Sequence, residues 1–208
     1  NVPGDISSAS FFIVLTLLLD KSKLTLKNIN VNNSRTGIIT ILRKMHAKIK
    51  IKNKKNYNGE PIADIYVEST NHLKSIICPR NLNTKSIDEF LIIFLLCSKA
   101  KGISKFRGIE ELRQKESDRL KFAADFLKMI GIRVKESFDG ITIYGKPNLS
   151  LNGTYVVKNY LKDHRAFMMS CIAALTFGGN FKIHDKSSIK TSFPNYLKLL
   201  KELGAKII

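Results

Sequence analysis

The chain has 208 residues, 44% of them apolar and 25% charged, and a formal net charge of +18. That apolar share supports a folded core of one large domain or two small ones. The lysines are spread along the whole chain beside many Asn and Ile residues rather than clustered with aromatics. They read as a solvated basic surface, which argues against a nucleic-acid interface.

The chain opens NVPGDIS, without a methionine, and is expected to be a processed, excised or incomplete piece of a longer polypeptide. An almost uniformly apolar helix is expected over 6–20, then an alternating strand over 23–29. Residues 36–52 read as an amphipathic helix running into a short strand, and the NGEPIADIYV stretch as a hinge or loop insertion carrying a strand-like segment at 63–69. A second apolar helix is expected over 87–100, a strand over 102–109, an amphipathic helix and strand over 117–135, and a strand over 139–145 opened by an Asp-Gly turn. The third set comprises a buried helix at 163–177, a strand at 180–186, and a final amphipathic helix and strand within 193–208.

The longest apolar runs, 11–19 and 90–97, fall short of the roughly 20 residues a membrane span needs, so they are expected to be core helices. No secretory signal is visible. Cys78, Cys97 and Cys171 have no CxxC pairing and read as buried thiols of a reducing compartment, with neither a metal site nor a disulfide. A cytoplasmic location is expected.

The order of buried helix, strand, amphipathic helix and strand therefore occurs three times, over approximately 1–52, 86–135 and 162–208. Three βαβ-type repeats predict one α/β domain of inside-out, barrel-like form, with buried helices and outer sheets. If the repeats are related by pseudo-threefold symmetry, their helix N-termini converge on one face.

Polar residues gather at those helix starts: Asp5, Ser7 and Ser8; Asp88 and Glu89; Asp163, His164 and Arg165. Capping accounts for the acidic ones, and a lone His164 reads equally well as structural. Capping does not account for ELRQKESDRL, where Arg113, Lys115, Glu116 and Arg119 crowd the approach to a helix with Ser117 as its expected N-cap. Lys115, Arg119 and Arg165 at converging positive dipole ends are an anion site in waiting.

EELRQKESDRL, PGDISSASFF, SIDEF, the DHR of LKDHRAF, and TSFPNY followed by LGA resemble the C-terminal half of the 5-enolpyruvylshikimate-3-phosphate synthase family, in order and along nearly the whole chain. The sister UDP-N-acetylglucosamine enolpyruvyl transferases share that fold but typically lack the KESDR and DHR segments. The resemblance implies transfer of the enolpyruvyl group of phosphoenolpyruvate to the 5-hydroxyl of shikimate 3-phosphate, in the route to aromatic amino acids, without metal or organic cofactor. It assigns Asp88, Lys115 and Glu116 to catalysis, and Asp88 and Lys115 also to shikimate 3-phosphate. Arg119, Arg165, His164 and Lys190 fall to phosphoenolpyruvate.

Lys190 departs from the family pattern, with Thr191 and Ser192 between it and the Phe-Pro pair. No counterpart of the N-terminal half is found here. That half is the expected partner, and a monomer is expected for the complete enzyme. A non-catalytic module binding anions or nucleic acid is the alternative from another class.

Overall fold

The computed structural model describes residues 2–207. The first set of elements is α1 (Ile6–Leu18), β1 (Lys23–Asn30), α2 (Gly37–Lys44), β2 (Ile49–Tyr57) and β3 (Glu60–Glu68). The second is α3 (Phe90–Ser98), β4 (Ile103–Arg107), α4 (Arg119–Met129), β5 (Arg133–Ser137) and β6 (Gly140–Tyr144). The third is β7 (Leu151–Val157), α5 (His164–Phe177), β8 (Gly178–Ile183) and α6 (Tyr196–Glu202).

Apolar composition decides which helices go inside. Every residue of α3 is buried, and α1 and α5 are buried along most of their lengths. The three pack on one another. Their hydroxyls enter the core by bonding to the helix's own carbonyls: Thr16 to Phe12 at 2.8 Å, Ser98 to Leu95 at 2.6 Å and Ser170 to Ala166 at 2.8 Å. Helix α4 is two-faced, with Leu120, Ala123, Ala124 and Leu127 buried and Lys121, Asp125 and Lys128 exposed. Edge-on contacts of Phe11 and Phe12 with Tyr196 tie the third set to the first within one hydrophobic core.

The sheets lie outside, as expected, but the pairing differs from a plain βαβ unit. The strand orders are β1-β3-β2 and β4-β6-β5, with β3 and β6 antiparallel to both neighbours. The two strands that flank α2, and likewise those that flank α4, are thus separated by a third that returns between them. The parallel pairing occurs elsewhere. The chain entering each buried helix lies parallel to the strand that follows it, at Gly4 with Ile29, at Lys74 with Lys101 and Ile77 with Lys105, and as β7 with β8.

NGEPIADIYV is therefore no hinge or insertion. Asn58 and Gly59, with φ of 49° and 83°, form the tight turn of the β2–β3 hairpin, and β3 is the central strand with Ile62, Ala63, Ile65 and Val67 buried. The expected closing strand of the third set is also absent, since residues 205–207 are irregular. Strand β7 adds to the elements expected from the sequence, and an Asn-Gly pair lies inside it.

Two glycines test the close packing in different ways. A Cβ on Gly145 would stand 1.9 Å from the Ala100 carbonyl oxygen, so Gly145→Ala must displace backbone. It is expected to lower unfolding free energy by about 3 kcal/mol. Gly59→Ala meets no atom within 4 Å and is expected to cost only about 1 kcal/mol through its positive φ. Equal denaturation midpoints for the two variants would contradict the packing at Gly145.

Candidate active site

Helix starts do converge, and those of α1, α4 and α5 are each capped by an aspartate. Asp5 accepts from the Ser8 N–H at 2.8 Å, and Asp163 accepts from Arg165 N–H at 2.9 Å. At α4 the cap is Asp118, not Ser117: its carboxylate accepts from Lys121 N–H at 2.8 Å. Ser117 is released for another partner and donates its hydroxyl to Asp163 at 3.0 Å.

Arg119 organises what lies between. Its side chain is only 2% exposed, and Nε donates to the fully buried Asp163 at 2.8 Å. Nη1 reaches Asp88 at 3.5 Å, and Nη2 donates to Glu116. Arg165 donates to the Asp88 carbonyl at 2.9 Å and lies 3.7 Å from its carboxylate. Asp88, Glu116, Arg119 and Arg165 are thus brought into one cluster from three helix starts. His164, adjacent and half-buried, has its imidazole held below the ordinary 6.5 by burial and then by Arg165.

The charges here are more nearly balanced than the sequence suggests. Arg113 is occupied structurally, bonded to Asp118 at 2.9 Å, Glu136 at 2.7 Å and the carbonyls of Ser137 and Phe138. Lys115 pairs with Glu111 at 2.5 Å. The cluster from Lys115 to Arg119 is therefore neutralised, but by carboxylates of two kinds. Asp163 is wholly buried, whereas Glu111 and Glu116 are 57% and 52% exposed. An arriving anion can take the place of the exposed pair while Asp163 keeps the guanidinium aimed.

Lys190 stands apart. It follows the short 3-10 turn after β8, is exposed, and lines a groove with Lys186, Pro194, Leu197, Lys198 and Lys201. None of the cluster's bonds described above involves it.

Two buried links escaped the sequence reading: Asp163 with Arg119 and Ser117, and Ser7 with Glu89 at 2.5 Å. Glu89 is 3% exposed and gives α3 no side-chain cap bond, so capping does not account for it. Burial pushes its carboxyl up to about 7, against the lowering by the Ser7 bond and Arg165; Asp88 and Asp5 add to the rise.

The family model for EPSP synthase (3-phosphoshikimate 1-carboxyvinyltransferase) matches residues 1–200. The chain belongs to the EPSP synthase family. A 3-phosphoshikimate 1-carboxyvinyltransferase of Zymomonas mobilis is 40% identical over 206 residues, covering 98% of this chain and 45% of that protein. The solved EPSP synthase of Acinetobacter baumannii superposes with a TM-score of 0.90 at 37% identity, over 97% of this chain and 46% of that one. The enolpyruvyl transferase NikO of Streptomyces tendae, at 16% identity and a TM-score of 0.75, shares the fold. The chain spans about half the length of the curated relatives it matches.

The Arg119–Asp163 pair also sets an acid limit on the fold. Burial alone would raise Asp163, but the bond and charge of Arg119, the Arg165 N–H and Ser117 outweigh it, leaving its carboxyl below the ordinary 3.8. A depressed carboxyl stabilises the fold fully above the unfolded value and loses that contribution as pH falls through the folded one. Asp163→Asn is expected to cost about 3–5 kcal/mol at pH 7, because it strands Arg119, and to flatten the loss of stability below about pH 4. Urea unfolding between pH 3 and 7 measures both, and wild-type stability at pH 7 would remove Asp163 as the anchor.

Proposed function

We propose that this chain is the C-terminal domain of a two-domain 3-phosphoshikimate 1-carboxyvinyltransferase. In this reading it supplies half of a site that transfers the enolpyruvyl group of phosphoenolpyruvate to the 5-hydroxyl of shikimate 3-phosphate. The other half comes from an N-terminal domain that closes over it. The observation that carries the reading is the Arg119 guanidinium, fixed at Nε by buried Asp163 while its outer edge faces exchangeable carboxylates. That edge suits an anion that offers two oxygens side by side, as a planar carboxylate does and as two oxygens of a tetrahedral phosphate do.

The reaction in this reading is an addition followed by an elimination. Asp88 orients the 5-hydroxyl and accepts its proton as the oxygen attacks C2 of phosphoenolpyruvate. Glu116 delivers a proton to the methylene carbon, which gives the tetrahedral intermediate. Return of a proton from that carbon to Glu116, with departure of the phosphate group carrying the proton held by Asp88, then restores the double bond. Lys115, freed from Glu111, meets the sugar-acid hydroxyl and the developing phosphate charge. Arg119 and Arg165 hold the carboxylate and phosphate of phosphoenolpyruvate, with His164 beside them. Lys190, on its separate turn, is assigned to phosphoenolpyruvate only through the resemblance.

With both domains present, Asp88→Ala is expected to lower kcat by about 10²–10⁴-fold without unfolding the protein. This chain alone, without the facing domain that completes the site, is expected to melt at a higher temperature in phosphate yet release no phosphate from the two substrates. Turnover by this chain alone, or a near-wild-type kcat for the Asp88 variant, would sink the reading.

A further inference from the structure

Resting on the enolpyruvyl-transfer reading, we propose that Glu89 is a positioning residue for that reaction: locked to Ser7, it holds Asp88 and the Arg165 guanidinium in place where three helix starts meet. Ser7 lies in the first turn of α1, and its hydroxyl donates to Glu89 at 2.5 Å across 82 residues. The neighbouring peptide is gripped from the other side, since the Asp88 carbonyl accepts from Arg165 of α5 at 2.9 Å. The Asp88–Glu89 peptide is therefore held from two sides, with the Asp88 carboxylate left partly exposed. Capping does not explain Glu89, and its burial is unfavourable for a carboxylate that serves packing alone.

The surroundings make the carboxyl responsive. Asp88 and Asp5 press negative charge on it and Arg165 positive charge, while Arg35 and Lys85 line the same small polar recess of about 30 Å³ beside Ser7. Arg35 also reaches Asp5 at 3.2 Å and the Ser7 hydroxyl at 3.5 Å. Ionised Glu89 holds Arg165 by charge and so steadies the Arg165 bond to the Asp88 carbonyl; neutral Glu89 keeps only the bond to Ser7.

The test has two independent arms. In this chain alone, the carboxyl ¹³C signal of Asp88, assigned with Asp88→Asn, is expected to show a step near pH 7. Glu89→Gln should abolish that step, and Ser7→Ala should move it to higher pH, because the Ser7 bond favours the ionised form. In the two-domain enzyme, Glu89→Gln is expected to match wild-type kcat at pH 6 and fall about tenfold below it at pH 8, with the KM for phosphoenolpyruvate, which Arg165 holds, rising over the same interval and that for shikimate 3-phosphate little changed. A wild-type Asp88 signal without the step, or a Glu89→Gln pH profile that keeps the wild-type inflection, overturns the proposal. If Glu89→Gln does not fold, Ser7→Ala decides: an unmoved step overturns it. A wild-type two-domain enzyme without turnover strikes the enolpyruvyl reading alone, and the Asp88 signal still decides the role of Glu89.

Discussion

The buried pair of Arg119 and Asp163 is the constraint from which the rest of the site follows. A guanidinium that is 2% exposed has lost most of its hydration, so the fold must return hydrogen bonds and opposite charge at short range. Asp163 does this at Nε while also capping α5, and Ser117 supplies the same carboxylate with a further donor. One side chain thereby joins the start of α4 to the start of α5, and the Nη atoms extend the connection to Asp88 before α3. Helix starts that merely happened to be neighbours would drift. Starts joined through a desolvated ion pair cannot move independently without uncovering a charge.

Division of labour among the carboxylates follows from that geometry. Asp163 is inside the fold, so exchanging it for a ligand would undo the structure. Glu116 and Glu111 are half in water, where an ion pair contributes little net free energy. They keep Arg119 and Lys115 from repelling one another and can leave at small cost. Arg113, chemically as suited to anions as Arg119, is excluded from such exchange because four acceptors of the α4 approach and the β5–β6 turn already use it.

Much of this was legible from local pattern. Apolar periodicity separated the buried helices from α4, and the repeated element order placed the helix starts at one face. The mixture of Lys, Glu and Arg in ELRQKESDRL marked an anion site that capping could not explain. What stayed hidden was pairing at long range. Asp163 reads as a complete N-cap, and nothing within a few residues announces that its second oxygen serves Arg119, 44 residues earlier. Glu89 beside Asp88 looks like a dipole complement until its side chain turns inward to Ser7. The strand errors have the same origin. Asn-Gly is a true turn between β2 and β3, where φ is positive at both residues, while the Asn-Gly of β7 lies within a strand and has no positive φ. The dipeptide supplies permission for a turn, and the neighbouring strands decide whether it is used.

The same inside-out plan accounts for where the net charge of +18 resides. Helices α1 and α3 contain no charged residue, so the excess lysine cannot enter the core and is carried by the outer elements. On β2, for example, Lys50, Lys52, Lys54 and Lys55 are partly or wholly in solvent. Solvent and salt screen such charges over about 8 Å at physiological ionic strength, so they act on an approaching polyanion collectively and weakly. Arg119 acts at contact, out of water, on whatever replaces Glu116. Attraction toward the molecule and retention at the site are therefore separable properties. The first belongs to a surface of exposed lysines; the second belongs to one guanidinium whose partners are set by the meeting of three helices.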